Sequence, residues 1–147
     1  GAFDDHHYQT QKHVKRLEQV FDIIGQPAEA QKCDAMEALV KEAQHMIENT
    51  PDNSMTRDAG LIIAAQKIEH YEMATYGSLV QLALTLEEDK VAYILERTLS
   101  EEEDTDLLLT DIAETHINPM ADHEDEATDG QPEGKGGNKA EEQAGKS

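Results

Sequence analysis

The sequence predicts an all-α fold, and three observations support that class. Apolar residues recur at spacings of three and four over four segments, which is the repeat of one helix face. No segment of useful length alternates apolar and polar residues as a half-buried strand does. Aromatic residues make up only 4% of the chain and tryptophan is absent, so the core must be mainly aliphatic. The 147 residues suffice for one helical domain.

The first two helices are predicted at residues 3–24 and 35–49. Gly25 is the expected end of the first, because glycine readily adopts the left-handed conformation that closes a helix. The second is a shorter crossover helix, and Asp34 with Glu37 form the Asp-x-x-Glu pattern of a capping box.

The third and fourth helices follow a turn cluster at residues 50–54. The third is predicted at residues 56–84. Thr85 and Glu88 form a second capping-box pattern that opens the fourth helix, and Pro119 is expected to end it. These helices would form a domain over residues 1–118.

The composition changes at the C-terminal end. Residues 119–147 are acidic and glycine-rich, and five of the nine glycines lie in this part of the chain. A segment with so few apolar side chains cannot offset the entropy of ordering it, so we predict a disordered tail.

Charge and cysteine content limit the function classes. The net charge of −20 argues against nucleic acid and anionic membrane surfaces as partners, because both are themselves negative. No apolar run approaches the roughly 20 residues of a membrane span, and no secretory signal is visible. Cys33 is the only cysteine, which excludes an internal disulfide and a cysteine-based zinc site. One unpaired thiol suits a reducing cytoplasm.

Two helix-spaced carboxylate pairs are the strongest functional signal. Glu69 and Glu72 share a helix face with apolar residues, as do Glu102 and Asp106. Carboxylates on a face that should be buried are costly unless they are paired, protonated or bound to a cation. Two such helices in one bundle predict a di-metal carboxylate site. The alternative is that some of these acids only rim the core in solvent.

The first helix adds nitrogen and amide side chains to this set. His6, Gln9 and His13 recur at spacings of three and four, and His13 lies on the inward stripe. Imidazole and carboxylate ligands without sulfur favour iron or manganese over zinc. Tyr71 and Tyr76 could hydrogen-bond a ligand carboxylate or simply pack. The remaining histidines of the helical part are assigned to packing or surface roles, namely His7, His45, His70 and His116.

Four motifs occur in order along residues 3–116. They are HHYQTQKHVKRLEQVF at 6–21, KCDAME at 32–37, AQKIEHYE at 65–72 with Tyr-Gly at 76–77, and TLSEE at 98–102 followed by Asp106. In this combination the chain resembles the YciE/YciF family of ferritin-like proteins. The resemblance implies a rubrerythrin-like four-helix bundle, metal binding at its centre and a bacterial stress-associated role.

Two departures from the family pattern accompany this resemblance. The family carries a further acidic helix before the first helix seen here, and that helix is expected to be absent from this chain. Position 9, where many relatives have Glu, is Gln9, a weaker ligand. The resemblance therefore implies an incomplete site, or one completed by another segment. It also implies an exposed apolar stripe, for which a homodimer or a related subunit is the expected partner.

Two functions remain open from the sequence. One is a di-iron or di-manganese protein that acts on peroxide or dioxygen, or that buffers metal. The other is a non-enzymatic helical stress protein that acts through oligomerisation and carries a degenerate metal site.

Overall fold

The structure is a computed structural model that describes the backbone of residues 1–129 and the side chains of residues 1–124. The helices are α1 (Ala2–Ile24), α2 (Asp34–Glu48), α3 (Met55–Thr85), α4 (Asp89–Ile112), a π-helical segment (Ala113–Ile117) and α5 (Asn118–Asp129). The described residues contain no strand, so the all-α prediction is confirmed. None of their helices combines the length and the apolar content needed to cross a membrane.

The fold is organised around the hairpin of α3 and α4. These two helices pack along each other, α4 also packs against α1, and α2 packs against α3. α1 and α3 do not approach each other as closely as either approaches α4. Side chains alone therefore bridge the space between α1 and α3.

The apolar core lies towards the turn between α3 and α4. It consists of Val20, Tyr76, Val80, Ala83, Val91, Ala92 and Leu95. Burial of such side chains stabilises the fold by roughly 25 cal/mol per Å² of apolar surface. The core fixes the register of α3 against α4, and the residues next along the same interface are acidic rather than apolar.

Both predicted capping boxes are wrong. The N-cap of α2 is Cys33, whose sulfur accepts a hydrogen bond from the backbone N–H of Met36 at 3.4 Å. Glu37 instead accepts a hydrogen bond from the ammonium group of Lys41 at 2.8 Å, because a basic partner lies one helical turn away. The helix therefore begins one residue earlier than predicted.

Thr85 belongs to the end of α3 rather than to a cap of α4. Its hydroxyl donates a hydrogen bond to the carbonyl of Gln81 at 2.9 Å. Glu88 is the N-cap of α4 but makes no side-chain capping bond. The reversal of the chain is made instead by Glu87, which adopts a positive φ of 58° between the two helices.

Helical structure continues past Pro119, where the sequence analysis placed the end of the fourth helix. The π-helical segment carries the chain into α5, where Pro119 is the second residue. The π-helical segment accommodates the proline, because the α-helical hydrogen-bond pattern already changes there: the backbone N–H of Asn118 donates to the carbonyl of Ala113, five residues back. A carboxylate oxygen of Glu124 accepts a hydrogen bond from the backbone N–H of Thr56 at 3.2 Å, which ties α5 to the start of α3. The tail predicted at residues 119–147 is thus helical as far as Asp129, and residues 130–147 lie outside the described part.

Alanine substitutions at two glycines of α3 measure how closely α2 packs against that helix. At Gly60 an added Cβ would meet Met46 of α2, with Cγ of Met46 at 2.7 Å, whereas at Gly77 nothing lies within 4 Å. We expect Gly77→Ala to stabilise the fold by about 1 kcal/mol, because alanine is the better helix former. Gly60→Ala should stabilise the fold less than Gly77→Ala does, because the side chain of Met46 must move to make room. Urea unfolding followed by circular dichroism measures both, and equal gains would contradict the close α2–α3 packing.

Candidate metal centre

Four acidic and imidazole side chains converge between α1, α3 and α4. One potential ligand atom from each of His6, Glu69, Glu72 and Glu102 lies within 4.8 Å of all the others. Glu69 is 2% exposed and Glu102 is fully buried, so this is an interior cluster rather than a solvated acidic surface. The sequence prediction that Glu69, Glu72 and Glu102 converge therefore agrees with the geometry.

Helix register explains the convergence. Glu69 and Glu72 lie one turn apart on α3, and Glu102 faces them from α4 across the hairpin interface. His6 reaches the cluster from α1, and its Nε2 lies 3.1 Å from Oε1 of Glu69. Three helices thus contribute to one site, and its geometry depends on how all three pack.

Several buried polar atoms in and beside the cluster have no hydrogen-bond partner among the described residues. They are Oε2 of Glu69, both carboxylate oxygens of Glu102 and Nδ1 of His13. Nδ1 of His13 lies 3.0 Å from Oε1 of Glu102, but the two are poorly aligned for a hydrogen bond. Unpaired buried polar atoms are rare and costly. Oxygen and imidazole nitrogen atoms left unsatisfied around one point are what a bound cation requires, so the residues present fit a metal.

Burial and mutual repulsion alter the acidity of the cluster. Burial, followed by the charge of Glu102, raises the pKa of Glu69 to about 9. The same two causes raise the pKa of Glu72 to about 7. In the absence of a cation the cluster therefore holds protons at neutral pH, because the low-polarity surroundings disfavour several negative charges together.

A series of polar contacts leads from the cluster through His13 to the surface. Nε2 of His13 lies 2.8 Å from a carboxylate oxygen of Glu101, and Arg16 donates two hydrogen bonds of 2.7 Å to the same carboxylate. The Arg16 guanidinium and His13 hold the pKa of Glu101 down at about 2. Burial would lower the pKa of His13, but its contacts with Glu102 and Glu101 outweigh burial and raise it.

Sequence reasoning missed Arg16 and Glu101 as members of the site. The available signal was that Arg16 follows His13 by one helical turn and that Glu101 precedes a buried glutamate. Helix periodicity places adjacent residues about 100° apart, so a buried Glu102 gives no reason to expect Glu101 at the same site. Only the packing of α1 on α4 brings Glu101 against His13.

Three of the seven predicted metal ligands, namely His13, Gln9 and Asp106, lie outside the four-residue cluster. A carboxylate oxygen of Asp106 lies 3.3 Å from the amide nitrogen of Gln66 and 3.2 Å from Nε2 of His70. Asp106 is not part of the four-residue cluster, although its charge adds to the raised pKa of Glu69. The amide oxygen of Gln9 accepts a weak hydrogen bond of 3.4 Å from the hydroxyl of Thr105.

The two tyrosines of α3 have different surroundings. Tyr76 is buried, and its ring meets that of His13 edge to face with centroids 6.5 Å apart. The hydroxyl of Tyr71 instead lies 3.1 Å from the sulfur of Cys33, away from the cluster. Tyr76 therefore supports the cluster by packing against His13.

An apolar cavity of about 440 Å³ adjoins the cluster at His6 and Glu69. Its walls come from all four of the helices α1–α4 and include Phe3, Ala43, Leu61, Ala65, Ile68, Leu108 and Leu109. The cavity gives the otherwise buried cluster a water-poor approach from one side.

Comparison with known proteins identifies the family. Residues 1–122 match the profile of a domain of unknown function, DUF892. The chain is 44% identical over 123 residues to protein YciF of Escherichia coli K12, covering 83% of this chain and 74% of that protein. The crystal structure of the E. coli stress protein YciF has a TM-score of 0.74 at 42% identity, over 80% of this chain and 74% of that chain. YcfI of Rhodopseudomonas palustris has a TM-score of 0.71 at 35% identity, over 74% and 69% of the two chains. The chain therefore belongs to the DUF892 family and is a relative of the stress protein YciF.

Proposed function

We propose that this chain is a ferritin-like stress protein that binds iron or manganese, as a di-metal centre, in the cluster of His6, Glu69, Glu72 and Glu102. The observation that carries the proposal is the convergence of three carboxylates and one imidazole whose buried oxygens have no partner within the described structure. The exposed free thiol of Cys33 is compatible with a reducing, cytoplasmic location.

The donor set favours these metals. Carboxylate oxygen and imidazole nitrogen suit iron and manganese, and no sulfur atom belongs to the cluster. His13 is the candidate ligand that lies next to the cluster, since its Nδ1 faces Glu102 while its Nε2 contacts Glu101. Such outer partners fix the orientation of a ligating imidazole. Arg16 in turn fixes Glu101 through two hydrogen bonds.

The chemistry follows from this arrangement. When bound, a redox-active metal would supply electron transfer to a small oxidant such as peroxide or dioxygen, or would simply be held in store. The apolar cavity admits small neutral molecules and limits water at His6 and Glu69. Glu69 and Glu72 would release protons as cations replace them.

Substituting a cluster glutamate tests the metal site. Glu69→Ala and Glu102→Ala should each abolish binding of iron or manganese, because each removes carboxylate oxygens from the cluster. Both variants should remain folded, since each change also removes the cost of a buried carboxylate. Metal content after reconstitution is measured by elemental analysis, and the equivalents per chain distinguish one ion from two.

Glu103→Ala is the matched control for this experiment. Glu103 adjoins Glu102 on α4 but is exposed, so the charge change is the same while the cluster stays intact. If Glu69→Ala and Glu102→Ala bind as much metal as Glu103→Ala and the parent chain, the metal proposal is wrong.

The metal-free protein should lose stability as pH rises. The pKa values of Glu69 and Glu72 lie above their ordinary value of 4.5 in the folded chain, so between these values the folded state binds more protons than the unfolded state. The free energy of unfolding therefore falls with increasing pH over this window. We expect the free energy of unfolding of chelator-treated protein to fall continuously from about pH 5 to about pH 9. Urea unfolding at each pH measures this free energy.

Glu69→Gln isolates the contribution of one carboxyl group. The amide stays neutral at every pH, so this variant should lose most of the slope above about pH 8, where Glu72, with a pKa of about 7, is mostly ionised. Glu103→Gln removes the same charge at an exposed position and should keep the slope. A slope unchanged by Glu69→Gln would show that the buried carboxyl group does not control stability.

We further propose that the chain forms a homodimer, or pairs with a related subunit, at the mouth of the apolar cavity. Phe3 and Leu108 line this cavity and are 52% and 48% exposed, which is unfavourable in an isolated chain. Leu108→Glu should shift the particle towards the 16.3 kDa monomer in light scattering at micromolar concentration. Leu86→Glu is the control, because Leu86 is 72% exposed at the other end of α3. A parent chain that is already monomeric would contradict this proposal.

A further inference from the structure

A basic hollow of about 260 Å³ lies on the outer surface between α1 and α4, outside the four-residue cluster, and it shares Arg16 with the contacts around His13. We refer to it as the basic hollow, and it is lined by Lys12, Lys15, Arg16, Gln19, Ile94 and Arg97. Five of these six side chains carry N–H donors, and no carboxylate is among them. Such a lining is unusual on a chain with 32 acidic and 12 basic residues.

Most of the Lys and Arg side chains that form no ion pair in the described part of the chain line the basic hollow. Nine Lys and Arg side chains lie within residues 1–124. Five of them pair with carboxylates, namely Arg16, Lys32, Lys41, Arg57 and Lys67. The other four, for which the described residues supply no carboxylate partner, are Lys12, Lys15, Lys90 and Arg97. Three of these four line the basic hollow.

This distribution is not what the overall charge leads one to expect. With acids in such excess, a randomly placed cation would find a carboxylate nearby, as the paired ones do. Lys12, Lys15 and Arg97 instead share one concave surface, where like charges repel unless an anion lies between them. The ammonium of Lys12 lies 4.4 Å from the ring centroid of Tyr8, an attractive contact, and no carboxylate of residues 1–124 compensates its charge.

The Arg16 side chain holds a fixed position in the lining of the basic hollow. Its guanidinium is held by two hydrogen bonds to Glu101 and a third of 3.2 Å to the hydroxyl of Thr98. Arg16 is largely buried, whereas Lys15 and Arg97 are exposed and free to close on a ligand. The hollow thus combines one immobile cation with mobile cations around it.

We propose that the basic hollow binds a phosphate group, either as the free ion or on a small metabolite. Arginine and lysine are the usual donors to phosphate oxygens, and the absence of a lining carboxylate removes the main source of repulsion. The net charge of −20 repels anions from the molecule as a whole, so binding depends on these local cations. This inference does not rest on the proposed metal function.

Calorimetric titration of the full chain with inorganic phosphate tests the proposal. The titration is made at low ionic strength, against sodium chloride of equal ionic strength and without added metal, because salt screens exposed charges. Lys15→Gln and Arg97→Gln should each raise the dissociation constant by about tenfold or more, which corresponds to one lost charged contact. Circular dichroism establishes that both variants, which change exposed residues, remain folded.

Lys90→Gln is the matched control. Lys90 lies on α4 and is also without a carboxylate partner in the described part, but it does not line the hollow. The Lys90→Gln variant should therefore bind phosphate with the affinity of the parent chain. Equal weakening in all three variants would mean a general charge effect and would overturn the proposal. So would a parent chain that binds neither inorganic phosphate nor the phosphate ester glycerol 3-phosphate.

A second titration with glycerol 3-phosphate distinguishes the two sources of the phosphate group. Binding of inorganic phosphate alone supports a site for the free ion, and binding of the ester supports a site for a phosphorylated metabolite. If neither binds and Lys15→Gln instead changes a salt-sensitive oligomeric state, the hollow contacts an acidic protein surface and the phosphate proposal is wrong.

Discussion

The burial of opposed carboxylates in the interface of α3 and α4 is the constraint on which the rest of the structure depends. Glu69 and Glu102 occupy positions that an ordinary hairpin would fill with leucine, and both are almost fully buried. Two negative charges at such a position are incompatible with a dry interior, so the site must hold protons or a cation. The apolar residues further along the hairpin, such as Val80 and Leu95, supply the packing that keeps the interface closed despite this cost.

Two glutamates that are adjacent in the sequence have opposite electrostatic surroundings. Glu101 and Glu102 are adjacent in sequence, yet Glu101 meets Arg16 and is held ionised, whereas Glu102 faces other carboxylates with its oxygens unpaired. His13 lies between them, with one ring nitrogen towards each. The cluster is therefore joined to the α1 surface by a continuous series of charged contacts. These ordered partners behind the acidic cluster are one of the observations that support the proposed binding role.

α1 has a distinct role on each of its faces. Its inner face supplies His6 and His13 to the acidic interior, and its outer face supplies Lys12 and Lys15 to the basic hollow. Because α1 packs on α4 and not directly on α3, side-chain contacts such as the one between His6 and Glu69 carry much of its attachment to α3. Its position is therefore tied to the charges of the site as well as to apolar burial.

Periodicity and spacing in the sequence determined the four main helices, the all-α class and the acidic core of the site. Glu69, Glu72 and Glu102 could be found because a helix repeats its face every three to four residues, so acids on an apolar stripe are visible without a structure. The tertiary structure alone decided the remainder. It placed Asp106 against Gln66 and His70, because side-chain partners on other helices are not encoded in local spacing. It also showed that helical structure continues beyond Pro119, because contacts of α5 with α3 outweigh the local signal to stop.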